Sequence, residues 1–296
     1  MARIRSWLSL CLAFTISTAF LPPDSRAAEA RLIAVSGGQF KQPHDLVLAP
    51  DGRHLFVADL GGHAVKVLDS GTLETVGEIG KGELRSPHDV AFDHQGRLLV
   101  ADSGNNRIAV YRVDGVKGTL GESWAGGLSS PEGVAPAPDG NVFVTDTGGG
   151  GVVVFRNGKA AARSESAGGK KFVRPHDIHL LRDGNLAVAD SGNDRLVVLD
   201  KDLRFIAAHV GQPWNFNEPK YLAEDNMGRL LVADEDNNRV VALAPGDRRI
   251  LLAIAAFSGP KNADKLNKPE GVTVKGDVLW ISDTYNNRIL SFRVIW

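Results

Sequence analysis

Short apolar runs of four or five residues, separated by turn residues, follow one another along the chain from residue 31 to residue 296. One run begins at Asp45, a turn follows at Asp51 and Gly52, and a second apolar run ends at Asp59. Runs this short, bounded by Gly, Asp and Asn, are typical of β-strands joined by tight turns. The pattern therefore predicts an all-β protein.

The same unit recurs six times in one register. Each copy contains a proline, an apolar run, a turn, a second run that ends in aspartate, a loop rich in Gly and Asn, and a third run. A fourth strand fits before the next proline, and four antiparallel strands in 40–50 residues form one blade of a β-propeller. We therefore predict one six-bladed propeller over residues 31–296. The prolines that anchor the six copies are Pro43, Pro87, Pro131, Pro175, Pro219 and Pro269.

The two ends of the repeated region predict how the ring closes. The sixth copy has its third run from Arg288 to Ile295 and no fourth run after it, whereas an unassigned apolar run, Leu32–Val35, precedes the first copy. In a closed propeller one blade can combine strands from both ends of the chain. We expect Leu32–Val35 to complete the last blade.

The loop after the second run carries a recurring motif with aspartate first, asparagine fourth and arginine sixth. The loops after Asp59 and Asp146 lack the arginine. The motif resembles the NHL-repeat family, and the resemblance covers residues 31–296 and implies a TolB-like six-bladed β-propeller. Because the motif recurs around the ring, we interpret it as structural, with aspartate accepting backbone N–H groups and pairing with arginine. The four full copies are Asp102–Arg107, Asp190–Arg195, Asp234–Arg239 and Asp283–Arg288.

The N-terminal segment differs from the repeats. Arg3 and Arg5 precede an apolar run over residues 7–21, and small residues follow the run. This order is typical of a secretory signal peptide, and the run is shorter than the roughly 20 apolar residues of a membrane span. We predict a signal peptide over residues 1–28, export to the periplasm or the extracellular space, and no stable membrane span after cleavage. The single cysteine, Cys11, lies in this segment, so the mature chain would have no thiol chemistry.

Composition narrows the classes of function. The formal net charge of -1 gives no basic surplus, which disfavours nucleic acid as a partner. The sequence has no phosphate-binding Gly-rich loop, no Gly-X-Ser-X-Gly elbow and no His-Glu-X-X-His segment. Nucleotide, serine-hydrolase and zincin chemistry are therefore unsupported.

The residue after each proline is where the six copies differ. In a propeller these positions face the channel mouth, so three histidines and two carboxylates would converge there and suit a divalent metal ion. Lys220 disfavours a cation unless it pairs with Glu270. The alternative is that each histidine hydrogen-bonds only within its own blade. In blade order the six residues are His44, His88, Glu132, His176, Lys220 and Glu270.

Two enzyme families resemble this arrangement. Peptidyl-α-hydroxyglycine α-amidating lyase has Pro-His motifs similar to those at His44, His88 and His176, which implies zinc on these histidines. Its catalytic loop is similar to that of Tyr285, which implies a general base there. Calcium lactonases similar to gluconolactonase imply instead a calcium ion, for which Glu132 and Glu270 would serve.

The leading prediction is an exported NHL-repeat β-propeller that acts as a binding or interaction scaffold, with a metal-capable channel mouth. Its partner would be a protein or a small molecule at the loop face. Trp124 and Trp214 are either exposed binding residues or plugs between blades. The loop 163–174, with four basic residues and one acidic residue, is either a contact patch or solvated surface. The alternative function is a metal-dependent lyase or, less favoured, a lactonase.

Overall fold

The structure is a computed structural model that describes residues 28–259 and 262–296. The predicted signal peptide, apart from Ala28, lies outside the described residues. In the described part of the chain, no helix is long and apolar enough to cross a membrane.

The described residues form strands joined by tight turns, together with five helical turns of three residues each. The helical turns are 3-10 in type and span Leu60–Gly62, Ser103–Asn105, Ser191–Asn193, Glu235–Asn237 and Thr284–Asn286. The strands in chain order are β1 (Glu29–Val35), β2 (Pro43–Leu48), β3 (His54–Asp59), β4 (Ala64–Asp69), β5 (Thr75–Ile79), β6 (Pro87–Phe92), β7 (Arg97–Asp102), β8 (Arg107–Asp114), β9 (Lys117–Trp124), β10 (Pro131–Pro136), β11 (Asn141–Asp146), β12 (Gly151–Arg156), β13 (Lys159–Ser164), β14 (Ser166–Ala167), β15 (Lys170–Lys171), β16 (Pro175–Leu180), β17 (Leu186–Asp190), β18 (Arg195–Leu199), β19 (Phe205–Val210), β20 (Pro219–Glu224), β21 (Leu230–Asp234), β22 (Arg239–Leu243), β23 (Ile250–Ile254), β24 (Ala256–Gly259), β25 (Asn262–Lys265), β26 (Val272–Lys275), β27 (Val278–Asp283) and β28 (Arg288–Ile295).

Six four-stranded antiparallel sheets form the blades of one ring. Blades one to five are β2–β5, β6–β9, β10–β13, β16–β19 and β20–β23. Blade six has the strand order β1-β28-β27-β26. The first strands β2, β6, β10, β16, β20 and β26 contact their neighbours around the ring and surround the channel. Two short hairpins, β14–β15 and β24–β25, connect blades three to four and five to six. The predicted six-bladed fold is confirmed.

The N-terminal strand closes the ring. β1 pairs antiparallel with β28, from Glu29 opposite Ile295 to Val35 opposite Leu290. The strand is longer than the predicted Leu32–Val35 but has the predicted partner. A side-chain contact reinforces the junction, because the backbone N–H of Gln42 donates to Oδ1 of Asn287 over 2.8 Å. The first and last blades are thus joined by strand pairing and by a polar contact.

Apolar side chains between neighbouring blades form the core. Trp124 is only 7% exposed and packs against Phe155 with ring centroids 6.1 Å apart, between blades two and three. Trp214 is partly buried, and its Nε1 donates to the carbonyl oxygen of Arg248 over 2.6 Å. Both tryptophans therefore pack between blades, as the alternative of a plug predicted.

The motif loops tie each blade together and bind it to the next. Asp102 is fully buried and accepts hydrogen bonds from the N–H of Arg85 (2.7 Å), Nδ2 of Asn105 (2.8 Å) and Nε of Arg107 (2.6 Å). Asn106, which lies between Asn105 and Arg107, has φ 53°. Its Oδ1 accepts the N–H of Ser130 in blade three over 2.8 Å. The motif therefore satisfies its own polar groups and sets the spacing between blades.

Candidate metal centre

The backbone before each anchoring proline places the next side chain at the channel mouth. All six residues before the prolines have φ between 47° and 60°, a left-handed conformation that turns the chain sharply into the blade. Because the six turns share this conformation, the residues after the prolines take equivalent positions around the channel. The residues that adopt it are Gln42, Ser86, Ser130, Arg174, Glu218 and Lys268.

Three histidines from blades one, two and four lie in contact. The ring centroids of His44 and His88 are 4.7 Å apart, those of His88 and His176 are 6.1 Å apart, and those of His44 and His176 are 6.4 Å apart. Residues that are up to 132 positions apart in the sequence are therefore neighbours. The convergence that the register predicted is present.

Two glutamates face the histidines at distances suited to shared coordination. Oε2 of Glu270 lies 3.0 Å from Nδ1 of His44 and 3.8 Å from Nε2 of His176. Oε2 of Glu132 lies 3.2 Å from Nε2 of His176, and its Oε1 lies 3.6 Å from Nε2 of His88. Ligands bound tetrahedrally at about 2.0–2.1 Å are about 3.3 Å apart. His44, His176 and Glu270 each offer a ligand atom within 4.8 Å of the others.

Several of these buried polar atoms lack a hydrogen-bond partner among the described residues. They are Nδ1 of His44, Nδ1 of His176 and Oε2 of Glu270. The contact between His44 and Glu270 is short, but its direction is not that of a hydrogen bond. A buried polar group without a partner costs about 1–3 kcal/mol, so these unsatisfied atoms indicate a ligand. The nitrogen and carboxylate donors fit a divalent metal ion.

His88 has the hydrogen bonding that orients a metal-ligating histidine. Its Nδ1 lies 3.0 Å from the carbonyl oxygen of Ser86, to which it can donate a proton. Nε2 then carries the lone pair and faces Glu132. Most metal-binding histidines donate such a hydrogen bond from the ring nitrogen that does not bind the metal, and this bond fixes the tautomer and the ring orientation.

Burial keeps two of the histidines neutral. It lowers the pKa of His88 to about 3, with a further contribution from the neighbouring His44. Burial also lowers the pKa of His176 well below its usual value, and the positive charge of Lys220 acts in the same direction. Both rings are therefore uncharged at neutral pH, the form that binds metal ions.

The two glutamates have opposite pKa shifts. Burial raises the pKa of Glu132 to about 7, despite the attraction of Lys220 and His44. Burial acts in the same direction on Glu270, but the close contact with His44 and the charge of Lys220 outweigh it and lower its pKa. One carboxylate at the centre is therefore ionised, and the other takes up or releases a proton near neutral pH.

Lys220 pairs with glutamates outside the ring. Its Nζ lies 3.2 Å from Oε2 of Glu235 and 3.5 Å from Oε2 of Glu218, so the expected pairing with Glu270 is not an ion-pair contact. Burial lowers its pKa, but the charges of Glu270, Glu235 and Glu218 raise it overall. Glu235 could have been singled out from the sequence, because it is acidic where four other blades have a hydroxyl residue after the loop aspartate. These hydroxyl residues are Ser103, Thr147, Ser191 and Thr284.

Tyr285 lies on the rim of the ring. Its side chain is 47% exposed, its backbone N–H donates to the carbonyl oxygen of Asn267 over 3.2 Å, and Nζ of Lys268 lies 5.4 Å from its ring centroid. None of these contacts joins Tyr285 to the three histidines. Its catalytic role stays a prediction.

Comparison with solved structures places the chain in a class of fold. A streptogramin B lyase is 12% identical with a TM-score of 0.63, and covers 92% of this chain and 100% of its own. A catalytically inactive variant of virginiamycin B lyase from Staphylococcus aureus with quinupristin is 12% identical with a TM-score of 0.64, covering 90% and 100%. A putative gluconolactonase is 18% identical with a TM-score of 0.67, covering 90% and 92%. At these identities the likeness defines the fold alone, a six-bladed β-propeller.

Comparison of the sequence identifies a known repeat in two of the blades. The profile of the NHL repeat matches residues 84–111 and 266–292, which include the motif loops of blades two and six. The chain is therefore a six-bladed β-propeller in which two blades match the NHL repeat. No curated protein matches the sequence.

Proposed function

We propose that this protein is an exported NHL-repeat propeller that acts as a binding scaffold and holds a divalent metal ion at its channel mouth. Two observations carry the proposal: His44, His176 and Glu270 bring ligand atoms within 4.8 Å of one another, and each of the three side chains has a buried polar atom without a hydrogen-bond partner among the described residues. His88 and Glu132 lie beside these three residues, with Oε1 of Glu132 3.6 Å from Nε2 of His88. The N-terminal pattern of basic, apolar and small residues supports the proposed export to the periplasm or the extracellular space.

The donor set favours zinc over calcium. Imidazole nitrogens and one or two carboxylates are ligands that Zn²⁺ takes in sites with an open coordination position. Calcium prefers six to eight oxygen ligands, and the ring supplies only the carboxylates of Glu132 and Glu270. A calcium centre of the lactonase kind is therefore the less favoured alternative.

Metal analysis of the purified mature protein tests this proposal. We expect about one zinc ion per chain after reconstitution, and a loss of most of it in His44→Ala, His176→Ala and Glu270→Gln, because each variant removes one of the three ligands. His94→Ala, in an exposed turn at the other end of blade two, is the matched control. Wild-type protein that resists reconstitution, or variants that keep their zinc, would contradict the proposal.

A second candidate function is a metal-dependent lyase, which the pKa of Glu132 favours. A carboxyl group with a pKa of about 7 beside metal ligands suits proton transfer near neutral pH. A bound zinc ion would supply Lewis acidity to a carbonyl or hydroxyl group. Glu132 would move the proton, and Tyr285 is the base implied by the family resemblance.

The variant Glu132→Gln distinguishes the two proposed functions, a binding scaffold and a metal-dependent lyase. Zinc-loaded protein would be incubated with quinupristin, an α-hydroxyglycine-extended peptide and a lactone, and the products identified by mass spectrometry. If the protein is a metal-dependent lyase, turnover should fall by about 10²–10⁴-fold in Glu132→Gln while the zinc content is retained. Turnover that is unchanged in this variant would exclude Glu132 as the proton carrier.

A further inference from the structure

Three aspartates form a second cluster directly below the ring of histidines and glutamates. They occupy the position after the ring residue in blades one, two and four, where the other blades have Gly133, Tyr221 and Gly271. All three side chains are buried, with no more than 8% of each residue exposed. The members of this aspartate tier are Asp45, Asp89 and Asp177.

The backbone of the neighbouring blades holds these carboxyl groups in place. Oδ2 of Asp89 accepts the N–H of Val134 over 2.5 Å, and Oδ2 of Asp177 accepts the N–H of Leu222 over 2.8 Å. Burial and the neighbouring carboxyl groups of Asp89 and Asp177 raise the pKa of Asp45 well above its usual value. Among the described residues, no lysine or arginine forms an ion pair with any of the three. The tier is therefore a fixed acidic group without a basic partner.

A cavity of about 420 Å³ begins at the aspartate tier and follows the innermost strands away from the histidines. It reaches Pro138, an exposed residue in the turn between β10 and β11, so it opens at the face opposite the metal centre. Its walls are apolar for most of their length, and its volume is within the usual range for small-molecule sites. Wall residues include Val47, Val90, Ile178, Leu222 and Val272.

One further polar side chain faces this cavity without a partner. His179 lines the wall two residues beyond Asp177, and no described residue forms a hydrogen bond with its ring. Burial alone lowers its pKa to about 4, so the ring is neutral and adds no positive charge to the cavity. Carboxyl groups at one end, apolar walls and a neutral acceptor together suit an organic cation.

We propose that this cavity binds a primary amine with an apolar body, whose ammonium group donates hydrogen bonds to the aspartate tier. The apolar walls then cover the aliphatic part of the ligand. An ammonium group fits better than a metal ion, because the tightly clustered ligand atoms of the described residues belong to His44, His176 and Glu270 and not to the aspartates. The site is separate from the metal centre and does not depend on it.

Calorimetric titration with hexylamine and with hexanol tests the proposal at neutral pH on EDTA-treated protein. The two probes have the same chain length, and only hexylamine carries a positive charge. We expect hexylamine to bind at least about tenfold more tightly, a difference of about 1.4 kcal/mol. Equal affinity for the two probes, or no binding of hexylamine, would overturn the proposal.

Substitutions then locate the binding site. Asp89→Asn and Asp177→Asn keep an oxygen acceptor for the backbone N–H groups and remove the charge, so each should weaken hexylamine at least about tenfold and leave hexanol unchanged. Asp183→Asn, in an exposed turn of blade four, is the matched control. Unchanged binding in both aspartate variants, or an equal loss in Asp183→Asn, would contradict a site at the aspartate tier.

Discussion

The loop aspartates and the channel-mouth residues both occur once in every blade, yet their surroundings differ. In blade four, Asp190 accepts hydrogen bonds from the N–H of Val173 (2.8 Å), Nδ2 of Asn193 (2.8 Å) and Nε of Arg195 (2.7 Å). In the same blade His176 is almost as buried, but its Nδ1 has no hydrogen-bond partner among the described residues. Burial alone therefore does not distinguish the two regions.

Hydrogen-bond satisfaction does distinguish them. Where a residue type repeats, the loop supplies its own partners, and the buried charge contributes to the architecture. Where the residue type changes between blades, buried lone pairs meet around the channel and are left for a ligand. This difference is why we place architecture in the loops and binding at the channel mouth.

The largest expected effect is on the free energy of unfolding, and it differs between variants of two loop aspartates. Asp190→Ala leaves the guanidinium of Arg195 buried without its carboxylate, which should lower the free energy of unfolding by about 3–5 kcal/mol. Asp59 accepts the N–H of Lys41 over 2.7 Å and has no ion pair with arginine, so Asp59→Ala should cost only about 1–3 kcal/mol. Urea denaturation of both variants measures the gap.

Equal losses in the two variants would show that the arginine partner does not govern the cost of removing a loop aspartate. The zinc content of both folded variants serves as the control, because neither aspartate supplies a ligand. A loss of zinc in Asp190→Ala at temperatures where the variant is folded would contradict the separation between the loops and the proposed metal centre.

The sequence was sufficient for the blades and for the ring of candidate ligands, because both depend on register alone. Blade three shows what register could not reveal. Its loop lacks the motif arginine, but Nη1 of Arg163, on the outer strand β13, reaches Oδ2 of Asp146 over 2.7 Å. The replacement comes from a different strand, so no spacing within the loop motif indicates it.

Side-chain direction was the other missing information. Lys220 has Glu270 as its neighbour in the ring, but it turns toward Glu218 and Glu235. The aspartate tier was likewise visible in sequence as Asp45, Asp89 and Asp177, but its position at the end of a cavity depends on how six strands are arranged around the channel. Register predicts which residues meet, and packing decides which of them interact.

The smaller expected effect concerns acid, and it tests whether burial holds a histidine at the channel mouth in its neutral form. His88 faces His44, His176, Glu132, Glu270 and Lys220, and its pKa of about 3 lies below the 6.5 of an unfolded histidine. Between these values the unfolded chain binds more protons, so stability falls as the pH falls below 6.5. At about 1.4 kcal/mol for each pH unit, His88 should cost about 2 kcal/mol at pH 5.

His88→Gln should remove this loss, so its urea midpoint should fall less than that of the wild type between pH 7 and pH 5, with EDTA present. Glu132 acts in the opposite sense, because its pKa is raised to about 7 and the folded chain holds its proton between pH 4.5 and 7. The contribution of Glu132 is present in both the wild type and His88→Gln, so the difference between their urea midpoints reports on His88. His94→Gln, in an exposed turn, should follow the wild type. If His88→Gln also follows the wild type, the histidines at the channel mouth are not held neutral by burial, and the contrast with the loops loses its electrostatic basis.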